Sequence, residues 1–339
     1  MKKLISLICV LAMVLALAAC GSSAPAAATE APAASAEAPA EDVSADKTFV
    51  VGICQLVQHP ALDAATQGFK DALTEALGDK VTFQEQNASG DSATCSLICN
   101  QFVSDEVDLI LANATPALLA AQSSTNQIPI LGTSVTDYAS ALDIDDWNGA
   151  TGTNISGTSD GVPAQAQAEL LQQVFADAKN VGLLYCSGEP NSKFQADEIR
   201  PILEEMGYKV KDYTFADSND VAQVAANACD DCDVLYIPTD NTAASNAELI
   251  NNVCLEKKVP VVAGEENLCA GCGCVTLSIS YYDLGVVTGK MAAEILANGA
   301  DISTMEIEYA PFTGKYNAVN CELLGVEIPE GFEAIETEE

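Results

Sequence analysis

The stretch TFVVGICQLVQHPALDAATQGFKDALTEALGDKVTFQEQ, residues 48–86, decides the fold. Thr48 to Ile53 is a short apolar run rich in β-branched side chains, the pattern of a strand buried on both faces. Pro60 stands where a helix can begin without losing a needed N–H, and Gly78 stands where one can end. Between them Leu62, Ala65, Phe69, Leu73 and Leu77 recur at three- and four-residue spacing, one buried face of a helix. Val81 to Gln86 reads as the next strand. Strand, helix, strand is the crossover that joins parallel neighbours in a sheet.

The alternation continues outward. The spacing predicts a helix capped by Asp91 or Ser92 that carries Cys95, Cys99 and Phe102, a strand over Asp108 to Ala112, a helix opening at Thr115-Pro116 and a strand over Pro129 to Gly132. The pattern then restarts, with strands over Asn180 to Cys186, Lys209 to Phe215, Val234 to Ile237 and Pro260 to Ala263 and helices around 192–206, 219–229 and 242–256. A strand near Val275 to Ile279 and a helix over Asp283 to Ala297 close the series, the helix returning to the first half. Two such units predict an α/β fold of two doubly wound parallel-sheet lobes, a comfortable division of the chain beyond its first residues.

Those first residues have another character. Lys2 and Lys3 precede an apolar run to Ala19 that is too short to span a bilayer, and it ends in Leu17-Ala18-Ala19-Cys20. Residues 1–19 read as a signal peptide, and Leu17-Ala18-Ala19-Cys20 resembles the bacterial lipoprotein box, which implies that Cys20 is the lipid-modified start of the mature chain and the membrane anchor. Residues 20–47 are almost all Ala, Pro, Ser, Glu and Asp, too polar to bury a core, and read as a disordered stalk. Localisation is then extracytoplasmic, on a membrane-anchored lipoprotein.

Charge narrows the partners. The 339 residues carry 14 Lys and Arg against 49 Asp and Glu, a net of −35, and loss of the signal makes the mature chain more acidic still. Such a surface repels nucleic acid and anionic headgroups. Thirteen cysteines are many for an exported protein. Cys95 and Cys99 share a helical face with Ile98 and Phe102 and read as core. Cys229-Asp-Asp-Cys232 and Cys269-Ala-Gly-Cys272-Gly-Cys274 have spacing that suits a dithiol or zinc, but the only histidine, His59, is far from both. The expectation is no metal and no cofactor, with a disulfide inside either cluster left open.

Ligands of open parallel sheets bind at the carboxyl ends of the strands. The segments there are Gln55 to Pro60, Asn113 to Pro116, Thr133 to Asp137, Gly157 to Asp160, Ser187 to Ser192, Thr239 to Thr242 and Gly264 to Asn267. Each is polar, and several run into helix starts whose free N–H groups favour a carboxylate. Any one could simply be a helix cap, but seven on one rim indicate a polar groove.

Gln55 to Phe69, Asn113-Ala114-Thr115-Pro116-Ala117, Thr133 to Asp137, Tyr236 to Thr242 and Tyr281-Tyr282-Asp283-Leu284-Gly285 together resemble the ABC-transporter substrate-binding lipoproteins typified by tryptophan- and tyrosine-binding members. The resemblance spans about residues 48–330. It implies a type I periplasmic-binding-protein fold with three crossovers, an N-terminal lobe of 48–155 plus 283–300 and a C-terminal lobe of 156–282 plus 301–339. It also implies a small polar ligand held between the lobes, an aromatic or branched amino acid, and ABC permease subunits as partners. The ligand-binding candidates are Gln55, His59, Ala114, Thr115, Ser134, Thr136, Ser159, Asp160, Glu189, Asn191, Ser192, Thr239, Asp240, Asn241 and Glu265. A ligand carboxylate is expected at Thr115, Ser134 and Thr136, and a ligand ammonium at Asp240, then Glu265, then Glu189.

Catalysis finds little support. The single histidine precedes a proline at a helix start, a position for a cap or ligand contact rather than a general base, and no hydrolase or nucleotide motif is present. Glu189 and Asp240 could form a glycosidase-like pair, but their sequence positions do not fix a separation. The alternatives to transport are a ligand-sensing surface receptor subunit and a surface hydrolase or thiol oxidoreductase.

Overall fold

A computed structural model describes residues 47–336; the signal segment, Cys20 and nearly all of the stalk lie outside the described residues. The chain first forms β1 (Phe49–Gln55), α1 (Pro60–Leu77), β2 (Val81–Asn87), α2 (Ser92–Ser104), β3 (Leu109–Asn113), α3 (Thr115–Ser124), β4 (Ile130–Val135), α4 (Tyr138–Ala141) and β5 (Ile155–Ser159). It crosses over into α5 (Ala164–Val174), β6 (Asn180–Cys186), α6 (Pro190–Glu205), β7 (Lys209–Phe215), α7 (Val221–Asp231), β8 (Val234–Ile237), α8 (Asn241–Ser245), α9 (Ala247–Lys257), β9 (Val261–Ala263), α10 (Glu266–Cys272) and β10 (Val275–Ser278). Then α11 (Tyr281–Asn298) and β11 (Glu308–Tyr309) return to the first half, and β12 (Thr313–Tyr316), α12 (Ala318–Leu324) and β13 (Glu333–Ala334) end on the second.

Two sheets result, ordered β11-β5-β4-β3-β1-β2 and β13-β12-β10-β9-β8-β6-β7. Every pairing of named strands is parallel except β10 with β12. Each sheet with its helices is called a lobe below. The chain passes between them after β5, between β10 and α11, and between β11 and β12. Strand order reverses between β1 and β3 in one sheet and between β6 and β8 in the other, so each lobe has a crevice at its strand ends where a ligand can sit.

The sequence-based boundaries need adjustment. β5 and β11 hydrogen-bond within the first sheet, on the far side of the limits expected at 155/156 and 300/301. The expected helix over 242–256 is two helices, α8 and α9, broken at Asn246, whose backbone leaves helical geometry. The return helix does pack on the first lobe, against α1. Its closeness depends on glycine: a Cβ on Gly285 would lie 2.0 Å from the Ala65 carbonyl oxygen, and one on Gly68 would lie 2.1 Å from that of Tyr282. That contact lets Met291 and Ala292 join Phe69 and Leu73 in the core.

All eleven cysteines of the described residues are buried free thiols. The C-x-x-C spacings do not pair internally: Cys229 Sγ lies 3.7 Å from Cys254 Sγ across α7 and α9, and Cys232 Sγ lies 3.6 Å from the Tyr213 hydroxyl. On a helix, residues three apart need not face each other's thiol when both are drawn toward different core neighbours. Among the described residues no cluster of His, Cys, Asp or Glu is arranged to hold a metal ion.

Candidate functional site

The strand-end loops on either side of both switch points converge. His59 occupies the N-cap position of α1 with an extended backbone, yet its side chain makes no capping bond. The ring turns across the cleft instead, placing Nε2 3.2 Å from Asn241 Oδ1 at the start of α8. Asn241 Nδ2 donates to Glu189 Oε2 at 2.6 Å. A carboxylate accepts only, so this bond fixes the amide's orientation and leaves Oδ1 for His59, which must donate from Nε2–H. Nδ1 is then an acceptor, buried and without a partner. Burial lowers the proton affinity of the ring, keeping it neutral.

Four buried acids surround this bond. Glu189 is saturated: Oε1 accepts from Thr242 N (2.8 Å) and Oγ1 (2.7 Å), and Oε2 from Asn241 N (3.0 Å) and Nδ2. Asp240 caps α8 through Ala243 N (2.7 Å) and ties the end of β6 through Cys186 N (2.6 Å). Burial, and then the neighbouring Glu189 charge, push its carboxyl up to about 8. Glu265 caps α10 through the N–H groups of Asn267 and Leu268, and burial pushes it up to about 7. Asp160 differs. Oδ2 accepts from the Tyr281 hydroxyl at 2.8 Å, while Oδ1 is buried with no partner. Burial raises its carboxyl as well.

The first lobe presents hydroxyls on strained backbone. Ala114 and Ser134, at the ends of β3 and β4, have φ of +93° and +54°, conformations that cost a non-glycine residue about 1 kcal/mol or more and gather at functional sites. Thr115 Oγ1 and Ser134 Oγ are buried and unpartnered. So is Asn191 Oδ1 on α6, whose Nδ2 donates to Thr239 O at 2.8 Å.

The lining sorts the candidates. Nine of the sequence-derived residues, His59, Ser134, Thr136, Asp160, Asn191, Thr239, Asp240, Asn241 and Glu265, line one small cavity between the lobes. Its free volume of about 10 Å³ is room for one water or ammonium-sized group. Asn241 also lines an adjoining outer chamber of about 400 Å³, with Glu189 in its wall. Thr115 and Asn191 share a third cavity of about 80 Å³. Gln55, Ala114, Ser159 and Ser192 line none of these. Gln55 bonds Asp63 (2.6 Å) and Thr66 (2.7 Å) inside the first lobe, Ser159 Oγ bonds Thr136 O (2.9 Å), and Ser192 Oγ leans on Thr239 O (3.4 Å), so they shape the loops. Leu62, Ala244 and Tyr281 line the inner cavity and were not foreseen. Tyr281 was legible as part of the Tyr281–Gly285 motif at a helix start just past a crossover, not as a cavity residue.

Residues 50–334 match the family model described as ABC transporter substrate binding protein. The chain belongs to that family. This binding protein is 36% identical over 249 residues to the tyrosine-binding protein of Clostridioides difficile, covering 73% of this chain and 72% of the relative. It also resembles an ABC domain from Streptococcus pneumoniae solved in complex with L-Trp, with 30% identity, TM-score 0.80 and coverage of 85% and 100% of the two chains. A ligand-free, open substrate-binding protein with adhesive properties from Clostridium difficile is 36% identical, with TM-score 0.64 and coverage of 86% and 100%. The binding protein overlays better on the L-Trp complex than on the ligand-free, open form that is nearer in sequence. The fold is the type I periplasmic-binding-protein architecture, and the family consists of solute-binding proteins rather than enzymes. No helix of the described residues is long and apolar enough to cross a membrane.

Proposed function

We propose that this binding protein captures a free amino acid between its lobes and delivers it to an ABC permease from a Cys20 lipid anchor. The observation that carries the ligand class is the set of buried, unpartnered polar atoms contributed by both lobes: His59 Nδ1, Ser134 Oγ, Asp160 Oδ1 and Asn191 Oδ1, all on the inner cavity. A buried polar group without a partner costs about 1–3 kcal/mol, so such a set stands in a folded protein where a ligand satisfies it. Asp160 Oδ1 is the acceptor for the ligand ammonium, in place of the Asp240 that sequence position favoured, because both Asp240 oxygens are held by backbone N–H groups. Ser134, Thr136 and the start of α3 at Thr115 take the carboxylate.

The side chain belongs in the outer chamber. Leu56, Val57, Pro116 and Ala216 give it apolar walls, and Ser89, Asp91 and Ser218 give it a polar rim, a lining that suits a ring with a polar tip. The relatives named with tyrosine and L-Trp favour an aromatic amino acid over a branched one. We read the two lobes as 47–159 plus 281–309 and 160–280 plus 310–336, following the sheets.

A thermal-shift screen of the twenty amino acids against the purified chain tests the proposal. A ligand at a hundred times its Kd stabilises by about 2.7 kcal/mol, a shift easily seen. Stabilisation by L-tyrosine or L-tryptophan is expected; a screen in which no amino acid moves the transition sinks it. Turnover of any amino-acid derivative would instead revive the hydrolase alternative.

A further inference from the structure

The hydrogen bond between His59 and Asn241 is, among the described residues, the side-chain bond that joins the two lobes across the cleft away from the crossing segments. His59 stands at the start of α1 in the first lobe, Asn241 at the start of α8 in the second. We infer that His59 is a ligand-reading latch, whose Nδ1 accepts a hydrogen bond from the ligand while its Nε2–H holds the second lobe through Asn241. The inference rests on the amino-acid reading of the cavity.

Three features support it. The ring is 6% exposed, so an unmade bond at Nδ1 is not repaired by solvent. Its tautomer is dictated from the far side: Glu189 fixes Asn241, and Asn241 fixes His59. A ligand N–H or O–H is thus the complement Nδ1 needs, and a ligand group that only accepts is refused. Finally, Glu189 anchors more than Asn241. Its oxygens also collect Thr242 and the Asn191 amide, so the latch closes onto a rigid assembly that includes an inner-cavity wall. Ligand contact and lobe contact therefore share one imidazole, and formation of either bond positions the ring for the other.

Because His59 is the chain's only histidine, its ring nitrogens can be read without assignment. The experiment is nitrogen-15 NMR of the full mature chain labelled in histidine, with L-tyrosine and L-tryptophan as probes and thermal shift run in parallel. The expected spectrum of the ligand-saturated protein has Nε2 protonated and Nδ1 bare, with the Nδ1 resonance displaced from its ligand-free position toward that of a hydrogen-bonded nitrogen. His59→Leu is expected to weaken binding at least about tenfold through faster dissociation, while His59→Gln, which keeps a donor and an acceptor, stays within a few-fold of the parent. Thermal stabilisation with an Nδ1–H tautomer, an unmoved Nδ1, or equal affinity in His59→Leu overturns the latch and leaves the amino-acid reading standing. Absence of any thermal shift overturns both.

Discussion

Tyr281 donates its hydroxyl to Asp160 Oδ2 at 2.8 Å, tying the first crossing between the lobes to the start of α11 just past the second. The same carboxylate leaves its other oxygen buried without a partner, and Asp160 lines the inner cavity, so a contact between the crossing segments and the proposed ligand acceptor share one side chain. Closure of two lobes about a hinge, a common response of such folds to ligand, would move the segments on which both residues stand.

Tyr281→Phe should therefore weaken ligand binding by about 1.5–3 kcal/mol, the worth of a hydrogen bond to a charged group, while leaving the ring's packing in place. Titration calorimetry measures the loss. Small-angle scattering should show a smaller compaction on ligand addition than in the parent. Unchanged affinity and compaction would mean that the hydroxyl only fills space.

The buried acids set the pH dependence. Asp240 is raised from 3.8 to about 8 and Glu265 from 4.5 to about 7. Between those limits the folded chain binds more protons than the unfolded chain, so this contribution to stability is full at low pH and is lost as pH rises through the folded values. Melting temperature of the ligand-free protein should fall across about pH 5 to 8 for this reason. A ligand ammonium favours the ionised acids, so affinity should move the other way and binding should release protons. Calorimetry in two buffers of different ionisation heat reads the release; a melting temperature that climbs through the same range contradicts the assignment.

Gly285→Ala tests the packing of the returning helix. The added Cβ would meet the Ala65 carbonyl oxygen at 2.0 Å, and a backbone atom in a packed helix pair cannot step aside cheaply. A loss of about 1–3 kcal/mol is expected in denaturant unfolding, with α1 and α11 pushed apart. Gly299→Ala, where no atom lies near the added Cβ but φ is +65°, should cost less, about 1 kcal/mol of backbone strain.

Membrane attachment should depend on Cys20. No described helix is apolar enough to span a bilayer, and the chain's net charge of −35 opposes adsorption to anionic lipid. Cys20→Ala should move the protein from the membrane fraction to the soluble one. Retention of the variant in washed membranes would mean another anchor.

Much of this was legible in the sequence because periodicity reports local burial. The βαβ register from Phe49 to Asn87 follows from an apolar run, one helical stripe and two punctuating residues, Pro60 and Gly78. The cavity was legible because a parallel sheet dictates where its loops lie, which is how His59, Ser134, Asp160 and Glu265 could be named together. What the sequence left open depends on contacts between distant segments. β5 and β11 could be assigned to a sheet only once paired, the C-x-x-C thiols turned toward core neighbours that sequence does not place beside them, and Gln55 turned inward to Asp63 and Thr66. The hydrogen bonding of the acids was hidden for the same reason, since capping by backbone N–H groups distinguishes Asp240 from Asp160 and leaves no mark in composition.

That distinction yields the sharpest prediction. Asp160 and Asp240 are both buried, both raised by burial and both on the inner cavity, yet only Asp160 has an oxygen without a partner. Asp160→Asn keeps a carbonyl for the Tyr281 hydroxyl but aims an amide donor at the ligand ammonium. Losing the charge partner of a desolvated ammonium should weaken binding by about 2–5 kcal/mol with little change in the ligand-free melting temperature. Asp240→Asn removes a cap on α8 and the tie to Cys186 N, so stability should fall by about 1 kcal/mol and affinity should change less. Titration of both variants with the amino acid that stabilises the parent separates the roles. If Asp240→Asn loses the larger share of affinity while Asp160→Asn binds like the parent, the ammonium sits on Asp240 at the start of α8, and the unpartnered oxygen of Asp160 does not meet the ligand.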